Sequence, residues 1–422
     1  MYFRDNQLFH SASDLVNFLG CEHLTHLELQ HARGDIDRPQ WSQSMQVLQD
    51  LGNEHESNYI QHMRDEGLTV VDLSENRKVE ATLAAMKEGP DRITQARLQL
   101  GNWVGYADIL IKKEGSSDLG DYHYEVADAK LAQVTKAGTI LQLSLYAEIV
   151  ASLQGRRPEL MYVVKPGEDF PTESFRVDDF AAYYQWVKRK FVASLQDGSL
   201  KDTYPEPVSK CSSCVWWSRC DKQWRKDDHL SLVAGIRQAN RKELEKKEIK
   251  RLDAYVRSGA PFPGKPEKGS MKTYEKLHSQ ASIQLQGREE GKLLHKLYDN
   301  SRTVIQGKDG EIEVVRGLNR LPVPSEGDII FDIEGDRYYH DGPLEYLFGY
   351  LVRKNGQWSY RKLWARNRNE EREVLRQFID EVFEIWEQHP GFHIYHYAPY
   401  EPSAIGRLAS RHSLDEDKLD RL

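Results

Sequence analysis

Residues 101–146 constrain this chain more than any other stretch. They read GNWVGYADILIKK, a polar turn, HYEVADAKLA and then GTILQLSLYAEIV. β-Branched, aromatic and aliphatic residues dominate Val104–Lys112 and Tyr122–Ala129. The turn-forming KEGSSDLGD between them, Lys113–Asp121, predicts a hairpin. Period two puts Asp128 and Lys130 on one face of the second strand, with Asp108 able to meet them from the first. Helical spacing puts Gln142 and Tyr146 on one face of the helix that follows.

Two carboxylates converging with one lysine are the set that metal-dependent phosphodiester hydrolysis needs. Carboxylates hold Mg²⁺ or Mn²⁺, hard cations that prefer oxygen. Such an ion acidifies a bound water and neutralises charge developing on phosphate. A lysine beside it orients that water or stabilises the transition state. The bland alternative makes Asp108 and Asp128 edge-strand charges, Lys130 a solvated strand end and Tyr146 a core tyrosine. The ordered set GxxD (Gly105, Asp108), DxK (Asp128, Lys130) and QxxxY (Gln142, Tyr146) resembles the RecB-like branch of the PD-(D/E)xK nucleases. The resemblance implies a restriction-endonuclease-like α/β core, with Gln142 and Tyr146 positioning substrate or the lysine. It also implies a helical histidine ahead of the strands as a further metal ligand, a place that His55 in LGNEHE matches. On the predicted helix Ser44–Glu66, His55 shares an apolar stripe with Val47, Leu51, Tyr59 and Met63, which by itself reads as a core histidine. Glu54 and Glu56 read as solvated neighbours.

At 422 residues, 39% hydrophobic and 10% aromatic, the chain has material for packed cores in two or three domains. A net charge of −8 does not argue against nucleic acid, because local patches read phosphate. No apolar run reaches membrane-spanning length and the first residues lack a signal peptide, so a cytoplasmic protein without a membrane partner is expected. Four cysteines are no disulfide framework in a chain this long; they suggest metal or redox chemistry. Cys21 follows a short helix, ASDLVNFL, capped by Ser11 or Ser13, and alone it reads as a small buried hydrophobe. Cys211-x-x-Cys214-x₅-Cys220 follows Tyr204-Pro-Glu-Pro. Four thiolates suit zinc or an iron–sulfur cluster. One CxxC, one nearby cysteine and one remote cysteine flanking such a core are similar to the cluster-bearing RecB-family nucleases. That resemblance implies a [4Fe–4S] cluster on Cys21, Cys211, Cys214 and Cys220, with zinc as the alternative. Trp216 and Trp217 are expected to pack over it.

Residues 1–225 are thus expected as the nuclease domain, 226–322 as a mainly helical connector and 323–422 as a third domain. In the connector, Arg237, Arg241, Lys242, Lys246, Lys247, Lys250 and Arg251 cluster on helical sequence. They read either as a solvated face or as a DNA-backbone contact of helix–hairpin–helix type. A helical stretch Tyr274–Leu297 and a strand pair near Val304 and Glu311–Arg316 follow. The third domain opens with IIFDIE, which puts Asp332 and Glu334 on one strand face, and continues β-β-α-β into a helix beginning near Glu401. This resembles the RNase H-like 3′–5′ exonucleases, and implies a second metal site at Asp332, Glu334 and Glu401, the last standing where the common pattern has Asp. Asp415, Asp417 and Asp420 fit the final acid poorly, so a partial exonuclease domain is expected.

The whole arrangement resembles the N-terminal part of a bacterial family of RecB-like nucleases whose longer members continue into a superfamily 1 helicase. No Walker A motif occurs, so the chain is expected to have no motor of its own and to be a fragment, a truncated gene product or a partner for a separate helicase. The expected function is metal-dependent hydrolysis of single-stranded DNA or DNA ends in repair, recombination or defence. Its rivals are a catalytically silent DNA-binding accessory subunit with a structural iron–sulfur cluster, and a redox-responsive regulator.

Overall fold

The computed structural model describes residues 1–167, 169–297, 302–307, 310–315, 317–339, 342–354, 356–414 and 416–422. The chain divides into two compact units, one of residues 1–166 and 170–296, the other of residues 167–169 and 297–422. Among the described residues no helix is long and apolar enough to cross a membrane.

The first unit opens with a short hairpin, β1 (Tyr2–Arg4) and β2 (Gln7–Phe9), that its sequence did not announce. Helices α1 (Ala12–Gly20) and α2 (Glu22–Arg33) follow. Ser11, not Ser13, caps α1: its backbone N–H and hydroxyl donate to Asp14 at 2.7 and 2.8 Å. Then come the long α3 (Gln43–Asp65), β3 (Val70–Asp72) and α4 (Val79–Glu88). The central elements are β4 (Arg92–Leu100), β5 (Trp103–Ser117), β6 (Gly120–Ala129), α5 (Ala137–Gln154) and β7 (Leu160–Val164). β8 (Thr172–Arg176) and α6 (Val177–Gln196) complete the core. The six strands form one mixed sheet in the order β3-β4-β5-β6-β7-β8. The hairpin β5–β6 is longer than its sequence suggests. Its strands run to Ser117 and from Gly120, leaving a tight turn where Lys113–Asp121 read as loop.

Two layers pack on this sheet. α5 is apolar on nearly every side, and Leu141, Leu143, Leu145, Ile149 and Val150 are buried with Ala107, Leu110 and Val126 of the sheet. α3 covers part of the other face through Met63, against Ile109, Ile111 and Ala127. β6 is therefore buried on both sides, which explains its continuous run of buried residues Tyr124–Ala127.

Residues 226–296 cluster with the first unit and carry their own small core of Leu230, Leu244, Tyr255, Phe262, Tyr274 and Leu277. The basic run is not one helix. It is split into α8 (Gln238–Glu245) and α9 (Leu252–Arg257), after α7 (Trp217–Lys226) and before α10 (Met271–Glu290). Arg241 is buried and donates to Glu206 at 3.0 Å. Lys246 pairs with Glu243 and Glu267, and Arg251 with Asp253. With Lys250 on Glu248, four of the seven basic residues are therefore spent on ion pairs within the protein.

The second unit holds the hairpin β9 (Arg302–Gly307) and β10 (Gly310–Val315); Arg316, expected to extend it, lies outside the described residues. Its main sheet comprises β11 (Ile329–Asp336), β12 (Leu344–Lys354), β13 (Gln357–Trp364) and β14 (Ile394–Tyr395), in the order β13-β12-β11-β14. α11 (Arg368–Gln388) connects β13 to β14, which runs parallel to β11, and α12 (Tyr400–His412) follows. Phe331 stacks on Phe378 of α11 at 4.2 Å, and Ile329, Ile333, Ala404 and Leu408 extend that core.

Candidate active site

β5 and β6 pair from Ser117↔Gly120 only as far as Ile109↔Ala127. Beyond that point β5 continues along β4 and β6 continues along β7, so the sheet forks. Asp108 and Asp128 stand at the fork. The Asp108 Oδ2 accepts from the Ala129 backbone N–H at 3.2 Å, capping the strand end where ladder bonds stop. Lys130 Nζ lies 2.7 Å from Asp128 Oδ2 and 3.9 Å from Asp108 Oδ2, bridging the two carboxylates. Its backbone N–H is fixed by the Val164 carbonyl at 2.9 Å.

α5 closes one side. Gln142 Nε2 donates to Asp128 Oδ1 at 3.0 Å, and the Tyr146 ring lies against Gly105. A Cβ at Gly105 would sit 2.4 Å from Tyr146 Cε1, so the glycine of GxxD is what admits the tyrosine of QxxxY. Asp108, Asp128, Lys130, Gln142 and Tyr146 are all brought together here.

The pleat slips at this point. Ala107 packs on the α5 side and Ile109 on the α3 side, although residues two apart normally share a face. On β4, Thr94 pairs with Ile109 and Ala96 with Ala107, leaving Gln95 opposite Asp108 with φ +52°. A non-glycine residue in that region is held there by its surroundings. Gln95 turns its side chain to α3 and donates to Glu56. Glu56, expected as a solvated neighbour, is half-buried, and its carboxyl is pushed above the usual range by burial and then by Asp108. Glu54 is exposed as expected. His55 is buried, stacks on Phe170 at 5.6 Å and leaves Nε2 without a partner. Among the described residues, the ligand atoms of His55, Asp108 and Asp128 do not all lie within 4.8 Å of one another.

Electrostatically the fork is tense. Asp128 is fully buried, and burial followed by the Asp108 charge raises its pKa well above that of an ordinary carboxylate, with Lys130 opposing. Burial alone would depress Lys130, but Asp128, Asp108 and Glu56 outweigh it and hold the ammonium charged. Tyr146 is kept protonated by burial and by both acids. Although the Lys130 ammonium is near Asp128 Oδ2, it is off the hydrogen-bonding direction, so that oxygen is ion-paired but accepts no aligned bond. A buried carboxylate oxygen in that condition, beside further oxygen donors, suits a hard divalent cation.

The four cysteines line one small cavity with Leu24, Leu27, Val208, Lys210 and Trp216. Cys21 Sγ accepts from Leu24 N–H and Cys211 Sγ from Val208 N–H, both at 3.4 Å. Burial raises the Cys21 and Cys214 thiols. It pushes Cys220 up to about 12, the neighbouring thiols adding to it. Trp216 packs beside them, fully buried, and donates to Glu28 at 2.9 Å, whereas Trp217 is exposed at the cavity mouth. Another trio, Glu206, His229 and Glu245, brings its ligand atoms within 4.8 Å. There the Ser231 N–H donates to His229 Nδ1 at 3.2 Å, which puts the neutral ring's proton on Nε2, and Arg241 already holds Glu206.

In the second unit, Asp332 and Glu334 project with Ile330 from the exposed face of β11, while Phe331 and Ile333 face α11. The β13-β12-β11-β14 order, with a helical crossover into the last strand, is on this sheet. Residues 329–421 match the model of the RNase H superfamily. No curated protein matches the chain. In this RNase H-like segment, among the described residues, the ligand atoms of Asp332, Glu334 and Glu401 do not all lie within 4.8 Å of one another. Glu401 is buried beside His396, Nδ1 to Oε2 3.4 Å, in a cavity shared with Phe331 and Phe378. Its order in the sequence suggested a metal ligand; α12 places it in the buried wall of that cavity, where its Oε2 accepts no hydrogen bond among the described residues. Asp417 and Asp420 lie on or beside the last short helix, Glu416–Leu419, and Asp415 is outside the described residues.

Proposed function

We propose that the chain is a metal-dependent nucleic-acid hydrolase of the RecB-like PD-(D/E)xK type, whose active site is the fork at Asp108 and Asp128. The observation that carries this reading is the convergence of two acids and one lysine where β5 and β6 separate, with Gln142 and Tyr146 behind them. Asp108 and Asp128 would hold Mg²⁺ or Mn²⁺, with His55 supplying a ring nitrogen from α3. When bound, such an ion acidifies water and offsets charge on the phosphoryl oxygens. Lys130, held by its own backbone bond and by both acids, keeps its ammonium at the reacting phosphate and orients the attacking water. Gln142 fixes the Asp128 carboxylate, and Tyr146 fills the space behind it. Single-stranded DNA or DNA ends are the substrate we infer, with a separate helicase as partner in repair, recombination or defence.

The test is cleavage of end-labelled single-stranded DNA with Mn²⁺ by the wild type and by Lys130→Ala. Loss of the lysine is expected to cost about 10²–10³-fold in rate, the scale of one preorganised charge donor, and to leave DNA binding intact. Cleavage surviving at the wild-type rate moves the chemistry to Asp332 and Glu334 and ends this reading.

We also infer that Cys21, Cys211, Cys214 and Cys220 hold a structural [4Fe–4S] cluster. The apolar cavity with four thiols and inward N–H groups suits a sulfur-ligated centre. Among the described residues no three of the sulfurs lie within 4.8 Å, wider than a single tetrahedral zinc at about 2.3 Å from each thiolate would draw them. Cys214→Ser is expected to lower iron content and thermal midpoint together in anaerobically purified protein. Zinc in place of iron, or full stability without either metal, is the outcome that sinks it.

A further inference from the structure

Two arginines flank one aromatic ring beside the fork. Tyr106 lies two residues before Asp108 on β5, and Arg97 pairs with it directly across the β4–β5 ladder. The Arg97 guanidinium carbon is 5.2 Å from the Tyr106 ring centroid, and that of Arg77 is 5.5 Å from it. Arg97 donates to the Tyr106 hydroxyl, and Arg77 Nε to the Ser74 carbonyl at 2.9 Å. Among the described residues neither the exposed Arg77 nor the half-buried Arg97 has a carboxylate partner, in a chain with a net charge of −8 whose half-buried Lys165 and Lys188 and buried Arg241 are each paired with a glutamate.

Two like charges drawn to one ring repel each other, and a neighbouring acid would ordinarily offset that repulsion. Here nothing does so, and both retain donors for an anion. The cluster begins roughly 7 Å along the strand from Asp108, two residues at about 3.4 Å each. It is on the β4 edge of the fork that also presents Gln95. We propose that Arg77, Arg97 and Tyr106 form a subsite for the polynucleotide next to the scissile bond. The guanidiniums would take a backbone phosphate, and the ring would present a face to a base. This rests on the hydrolase reading above and names where the strand leaves the acids. The ligand class is a single-stranded polynucleotide, held through its backbone and therefore without base specificity.

The experiment measures anisotropy of fluorescein-labelled oligothymidylate and oligouridylate on the full chain across a salt series. Lys130→Ala is the background, so that neither probe is cut. Arg77→Gln and Arg97→Gln are each expected to weaken binding about tenfold at low salt. Each should also make the slope of log affinity against log salt shallower by about 0.7, one single-strand phosphate contact. Arg77→Lys, which keeps the charge on an exposed side chain, should retain the slope. A structural role for the cluster would move thermal midpoints and leave the slope alone. Unchanged affinity and slope in both glutamine variants, with wild-type cleavage intact, overturn the subsite and spare the hydrolase. No binding of either probe overturns the subsite as well, and if the wild type also fails to cleave, the hydrolase reading falls with it. Equal loss on both probes supports backbone recognition, whereas loss confined to one base or sugar type overturns it.

Discussion

Asp128→Asn is expected to abolish hydrolysis while leaving the fold as stable as before, or more so. The buried carboxylate is the most uncomfortable group at the fork, raised by burial and by Asp108. Asparagine keeps the acceptor that Gln142 reaches at 3.0 Å and removes one of two mutually repelling charges. Lys130 loses its 2.7 Å partner but still has Asp108, 3.9 Å away. The thermal midpoint should therefore hold or rise. Activity should fall by at least about a thousand-fold, because metal-ion charge stabilisation is worth several kcal/mol and each 1.4 kcal/mol is tenfold. Scanning calorimetry, Mn²⁺ titration followed by electron paramagnetic resonance and the cleavage assay read the three parts separately. A variant that still cleaves within tenfold of wild type removes Asp128 from the site.

Gly105→Val is expected to do the opposite, damaging the fold first. Its first side-chain carbon alone would lie 2.4 Å from Tyr146 Cε1 and 3.0 Å from Cζ. Tyr146 is buried between β5 and α5 and cannot swing into solvent. Overpacking of this kind costs about 1–3 kcal/mol for small additions. Alanine should already lower the midpoint by several degrees, at about 2–4 °C per kcal/mol for a unit of this size, and valine by more. The clash is specific, so Tyr146→Leu should relieve it: Gly105→Ala should cost less in that background than in the wild type. Equal costs in the two backgrounds would show that the glycine serves something other than the tyrosine.

The fork residues were legible because Asp128, Gln142 and Tyr146 lie on regular elements where spacing dictates direction, and Lys130 lies one residue past the end of β6. Asp128, Lys130, Gln142 and Tyr146 need only periods of two and 3.6 to be gathered. Glu56 was not legible. Its approach to Asp108 depends on the slipped pleat at Gln95, a tertiary distortion that no local pattern announces. The burial of Glu401 was not legible either, because order along the chain says nothing about which way a helix turns its first acid. β8, TESFR, is a short polar edge strand, and edge strands are protected by the charges that hide them from a hydrophobic pattern. The basic run read as surface and largely is, except that Arg241 is buried against Glu206, a pairing between segments 35 residues apart.

Trp216 and Glu28 meet across 188 residues of chain. Leu24 and Leu27 of α2 are buried against the same tryptophan. During synthesis this face of α2 waits for its partner while the whole six-stranded sheet emerges, roughly 10–40 s at ribosomal rates of about 5–20 residues per second. α2 thus leaves the ribosome well before the residue that completes its cover. A nascent-chain release timed before and after Trp216 would catch the unit on either side of that closure, and a holdase binding α2 would have its window there.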